Sequence, residues 1–145
     1  MLERISSQLG RTPQGSYQIA TKCPWGYPVV LKTHPHEGGV FPTLYWLSCP
    51  YLVKAVSRLE ATGLVGKYDE RLTEDNSFRQ ALEAAHLAYA KERSQYVASD
   101  ASLRPEIKQK LIESGIGGSE NREGVKCLHM HLAHYLATGE NPIGR

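Results

Sequence analysis

The sequence predicts an α+β fold, a small antiparallel sheet from the N-terminal third covered by about four helices, and three observations predict it. β-Branched and apolar runs bounded by turn residues are confined to the first 50 positions. From residue 50 onward the apolar residues recur at helical spacing instead. The chain has 145 residues of which 41% are hydrophobic, enough for one buried core, so residues 1–145 are expected to form a single domain.

In chain order, residues 2 to 9 have the pattern of a short helix, broken by "RTPQGS" with its Pro13 and Gly15. "YQIAT" and "PVVLKT" flank "KCPWGY", whose Pro24 and Gly26 mark a tight reversal, which predicts a hairpin with Cys23 at its turn. A loop, "HPHEGGVFP", leads to "TLYWL" at 43 to 47, the strongest strand candidate. In "SCPYLVKAVSRLEATG", Leu52, Val53, Val56 and Leu59 repeat with helical period until Gly63. The longest helix is expected over 75 to 97, with Asp75 as N-cap and Phe78, Leu82, Ala85, Leu87 and Tyr89 as its apolar stripe. A further helix over about 104 to 114 starts near Pro105 and closes at Gly115; the glycine-rich "GIGGSENREG" follows. The last helix is expected over about 122 to 138, stopping at Gly139. Internal repeats, coiled-coil heptads and low-complexity tracts are absent from the sequence.

Composition excludes several classes. Seventeen Lys+Arg against fifteen Asp+Glu give a formal charge of +2, far from the basic balance that grips phosphates regardless of sequence, so nucleic acid is not an expected partner. No apolar run approaches the ~20 residues that span a bilayer, and "MLERISSQLGR" lacks the apolar centre of a secretory signal. A cytoplasmic protein with no membrane partner is therefore expected. Such a location keeps thiols reduced, and three cysteines is an odd number, so a disulfide framework explains them poorly.

Each cysteine has its own reading. Cys49 precedes Pro50, which favours extended backbone at Cys49 and a helix start at the proline, making Cys49 the expected N-cap. There the helix dipole favours thiolate, a nucleophile or metal ligand; the competing reading is a small buried hydrophobe. Cys23 also precedes a proline, at a turn. In "VKCLHMHLAHYLATGENP", Cys127 and His131 are four apart and share a helical face on which one ion could bind, whereas His129 points elsewhere. His134 shares the side of Cys127 but lies ~10 Å further along the axis. The glycine-rich loop before Lys126 could offer backbone N–H groups to an anion, but it lacks the P-loop pattern and follows a helix, so a plain connection is the stronger reading.

Taken together, "RTPQG", "KCPWGYPVV", "FPTLYWLSCP" and "VKCLHMHLAHYLA" resemble the bacterial family numbered five hundred and one among the domains of unknown function, over about Arg11 to Gly144. The resemblance maps motif positions onto Cys23, Pro24 and Gly26; onto Phe41, Pro42, Thr43, Cys49 and Pro50; and onto Lys126, Cys127, Leu128, His129, Ala133 and His134. Ser48 stands where the family usually has threonine. His131 lies outside the pattern, which moves weight from the Cys127/His131 pair to His129 and His134. No reaction comes with the resemblance.

It does imply that all three cysteines belong to family motifs. The leading expectation is a metal centre held by Cys23, Cys49 and Cys127. With His129 or His134 as fourth ligand it is a closed Cys₃His zinc site; with that position open it is an iron–sulfur cluster, and redox, sulfur or phosphate chemistry follows. A second expectation is a metal-free thiol enzyme with Cys49 as nucleophile, His129 or His134 as base, and Arg11 or Lys126 holding a small anionic substrate. The third is a non-catalytic interaction domain presenting Trp25, Tyr27, Tyr45 and Trp46 to a partner.

Overall fold

The computed structural model describes residues 4, 5, 8, 17–33, 43–97, 105–116, 125 and 127–144. Strands β1 (Tyr17–Lys22), β2 (Pro28–Thr33) and β3 (Tyr45–Leu47) form one antiparallel sheet in the order β1-β2-β3. The helices are α1 (Pro50–Ala61), α2 (Leu64–Glu74), α3 (Asn76–Val97), α4 (Pro105–Glu113) and α5 (Leu128–Thr138). This is the α+β arrangement the sequence predicts, a sheet first and helices after it.

Strand burial follows position in the sheet. β1, at an edge, alternates between half-buried and exposed residues, whereas Pro28, Val29, Val30 and Leu31 of the central β2 are buried in succession. Tyr17 pairs with Thr33 and Lys22 with Pro28, with irregular register around Thr21; Val30 pairs with Leu47. The turn between β1 and β2 closes through bonds from the Cys23 N–H to the Tyr27 carbonyl and from the Gly26 N–H to the Cys23 carbonyl, both 2.9 Å.

Two hydrophobic clusters hold the layers together. One joins the sheet to α3 and α5 through Val29, Val30, Leu44, Tyr45, Ala85, Tyr89, Ile116 and Ala133. The other joins the helices through Val56, Leu72, Phe78, Leu82, Leu128 and Ile143. Between them, the Tyr89 hydroxyl accepts the backbone N–H of Leu44 at 2.6 Å, pinning the start of β3 to α3. The fully buried Arg93 donates to the carbonyls of Ser114 and Gly115, so the end of α4 is fastened to α3 through charge-assisted bonds.

Three details depart from the sequence reading. Helix α2 went unread, because Gly63 ended the pattern of α1; that glycine, at φ +83°, serves instead as the junction between two helices. Asp75 caps α3 as expected, accepting the Phe78 N–H at 3.1 Å, but Leu87 is 52% exposed and lies off the apolar stripe. The last helix starts at Leu128, with Cys127 as its N-cap in extended backbone (φ −156°, ψ 128°). Just upstream, the Val125 N–H is committed to the Asp69 side chain at 2.9 Å, which fixes the entry to α5.

Gly115 and His86 fit each other closely. The Ile116 N–H donates to Nδ1 of buried His86 at 3.0 Å, and a Cβ on Gly115 would fall 2.4 Å from that same nitrogen. Only glycine allows this approach.

Candidate metal centre

Val53, Ser57 and Glu60 follow one another along α1 at i, i+4 and i+7, so all three face one side of the helix. That side meets the first turn of α5, where Cys127 and His129 lie. The Leu128 N–H, one of the N–H groups that a helix start leaves without an intrahelical partner, donates to Oε1 of Glu60 at 3.1 Å. The same oxygen is 2.9 Å from Nδ1 of His129 and 3.6 Å from Sγ of Cys127. Sγ and Nδ1 are 3.4 Å apart. The other ring nitrogen, Nε2, lies 3.2 Å from the Val53 carbonyl and 3.2 Å from Oγ of Ser57.

A carbonyl oxygen only accepts, whereas the Ser57 hydroxyl can also donate; in the tautomer in which Nε2 donates to Val53, Nδ1 presents its lone pair to the carboxylate and the sulfur. In that tautomer Nδ1 and Oε1 are two acceptors 2.9 Å apart and need a cation between them; in the other, Nδ1–H donates to Oε1 directly. A tetrahedral zinc with ordinary bond lengths would hold its S···N and S···O donor pairs about 3.6 Å apart and its N···O pair about 3.4 Å apart. The spacing here matches for sulfur and is tighter between His129 and Glu60. Their side chains are 25% and 30% exposed, leaving them room to move apart around an ion. A histidine whose second ring nitrogen donates to a backbone carbonyl also has the usual support of a metal ligand.

The thiol is not activated. Burial, with a smaller contribution from the Glu60 carboxylate, raises the Cys127 pKa above its ordinary value, and the N–H groups of Met130 and His129 pull the other way without prevailing. Without an added cation Cys127 is a protonated thiol, and a metal ion is what would make it a thiolate.

Among the described residues, the His, Cys, Asp and Glu side chains whose ligand atoms all come within 4.8 Å of one another are Glu60, Cys127 and His129. Cys127 and His129 of the expected ligand set are thus brought together, and Cys23, Cys49 and His134 lie outside the group. Cys49 is the N-cap of α1 with Pro50 behind it, as expected, and Cys49 and Cys23 both pack half-buried against the sheet cluster. His134 is buried between the rings of Tyr45 and Tyr89, with its Nδ1 3.3 Å from Nδ2 of Asn141. His131 does not share the face of Cys127 as the four-residue spacing suggested. Because Cys127 is an extended cap rather than a helical residue, His131 turns inward, with Nδ1 3.1 Å from the same Asn141 nitrogen. Arg11 and Lys126 lie outside the described residues.

Glu60 was missed from the sequence. Its signal was present: it is the only acidic residue between Glu37 and Asp69, on a helix whose other charges are Lys54 and Arg58.

A family model described as "Protein of unknown function (DUF501)" matches residues 19–145. The chain belongs to that family. The match takes in Glu60, Cys127 and His129 and leaves Arg11 outside. No curated protein and no solved structure matches the chain. None of the helices is long and apolar enough to cross a membrane, among the described residues.

Proposed function

We propose that this DUF501 chain is a metal-centre protein in which Cys127, His129 and Glu60 bind one zinc ion. The observation that supports it best is the convergence of Sγ, Nδ1 and Oε1 within 3.6 Å, with Nε2 of His129 3.2 Å from the Val53 carbonyl so that Nδ1 is the ring nitrogen that faces the other two donors. One thiolate, one imidazole and one carboxylate suit zinc, whereas an iron–sulfur cluster calls on several thiolates. Three protein donors also leave a fourth position for water or a small anionic substrate, the pattern of catalytic zinc sites rather than closed structural ones. In this reading Ser57 and Val53 orient His129, and the Leu128 amide orients Glu60.

Chelator competition with zinc, alongside metal analysis of the purified chain, tests the reading. Cys127→Ser, His129→Ala and Glu60→Gln are each expected to weaken zinc binding by about a hundredfold, comparable to the largest effects of removing a supporting group at known metal sites. A Cys23→Ser/Cys49→Ser double variant is expected to bind zinc as the wild type does. Loss of metal in that double variant, or brown iron-containing protein, would replace this centre with the three-cysteine one. A wild-type chain with no zinc affinity would overturn the reading and leave a His129–Glu60 contact that only ties α1 to α5.

A further inference from the structure

The near-neutral total charge conceals a segregation. From residue 4 to residue 59 the chain carries six basic residues and one acidic residue, Glu37, whereas residues 60 to 145 carry eleven basic and thirteen acidic. The fold places part of the basic segment around one end of the sheet. The Ser48 N–H donates to the Val29 carbonyl at 2.9 Å, so the chain leaves β3 beside the start of β2. α1 therefore begins next to the turn Cys23–Tyr27.

Three aromatic rings stand exposed there. Trp25, at the tip of the turn, is 80% exposed, Tyr51, in the first turn of α1, is 85% exposed, and Tyr27 is about half exposed. Cations accompany them. The Arg4 guanidinium lies 4.7 Å from the centre of the Tyr27 ring, and Lys22 at the end of β1 is exposed. Lys54 and Arg58 follow Tyr51 at i+3 and i+7, making one exposed face of α1.

We propose that the end of the sheet formed by Trp25, Tyr27 and Tyr51 with Lys22, Lys54 and Arg58 binds single-stranded nucleic acid. Protruding rings offer faces on which unpaired bases stack, and the flanking lysines and arginine neutralise the phosphates between them. Trp25, Tyr27 and Tyr51 are aromatic, and the one exposed aliphatic residue of α1, Leu59 in its last turn, is less than what drives insertion into lipid. They protrude among charged neighbours rather than lining a desolvated pocket of the kind that anchors a protein partner. Stacking accepts any base, so the expected binding is tolerant of sequence and sensitive to salt.

The test uses the full chain and a fluorescently labelled single strand of about 12 nucleotides, within the span such platforms cover. Anisotropy at low and moderate salt is expected to show binding that weakens with salt and quenches tryptophan fluorescence. Trp25→Ala and Tyr51→Ala are each expected to weaken it by about tenfold while leaving the salt slope unchanged, whereas Lys54→Gln and Arg58→Gln each lower that slope by about one unit. All four side chains are exposed, and unchanged circular dichroism melts would confirm folded variants. A duplex of the same length is expected to bind more weakly, its bases being already stacked. Absence of strand binding at low salt overturns the proposal. So does binding that ignores the aromatic substitutions, or capture by anionic phosphatidylserine vesicles in place of the strand.

Discussion

Helix α5 carries polar ligand-type residues in both of its halves, and the halves differ in what surrounds them. In the first turn, Cys127 and His129 are half-buried, face a carboxylate and meet solvent. One turn later, His131 and His134 are buried, and the donors facing them are already assigned: the Asn141 amide nitrogen lies 3.1 and 3.3 Å from their Nδ1 atoms. The Asn141 oxygen accepts the N–H groups of Ile143 and Gly144, which fixes the direction of the amide and leaves both rings neutral. Histidines whose lone pairs have been given a proton donor are packing elements. The histidine whose Nδ1 faces a carboxylate and a thiol has room for a cation.

Acid should separate the two halves most strongly. Burial pushes His131 and His134 down from 6.5 to about 4, with the proximity of His134 a smaller downward influence on His131. Glu92 raises the second without overcoming burial. Below 6.5 the unfolded chain takes up protons that the folded chain refuses, so stability is full above that pH and falls as the pH drops toward 4. The expected loss is about 3 kcal/mol for each histidine, read from denaturant unfolding at a series of pH values. A curve flat from pH 7 to 4.5 would mean that these rings are not buried and neutral.

Removing the shared donor comes next. Asn141→Ala leaves two buried ring nitrogens and two backbone N–H groups without their partner, for an expected loss of about 3 kcal/mol at neutral pH. Zinc affinity should hardly change, since Cys127, His129 and Glu60 make no contact with that amide. Zinc itself sharpens the contrast from the other side: at a hundredfold excess over its dissociation constant it should stabilise the wild type by about 2.7 kcal/mol, and Glu60→Gln should cut that gain to about 0.4 kcal/mol at the same zinc concentration. Smallest is Gly139→Ala. Gly139 closes α5 at φ +77°, and an alanine there should cost about 1 kcal/mol, visible as a lower Tm with unchanged zinc binding.

Much of the fold was legible because its signals are local. The strands at Tyr17–Lys22, Pro28–Thr33 and Tyr45–Leu47, the Asp75 cap and the Cys49-Pro50 helix start all follow from neighbours within a few positions. Helix α2 was lost because a glycine that ends one helix says nothing about the residues after it. The candidate centre was half legible. Cys127 and His129 stood out by residue type, but their meeting depends on Cys127 lying outside the helix, where helical spacing rules do not apply. Glu60 reaches them across a contact between α1 and α5, and no local pattern encodes that distance.

The contact of His86 with Gly115 also bears on how this chain can vary over generations. A larger residue at 115 collides with the imidazole, and a smaller residue at 86 strands the Ile116 amide. Each single exchange is therefore harmful against the present background, and only a joint change relieves both. Positions 86 and 115 form an epistatic pair, and drift at one is closed off by the state of the other.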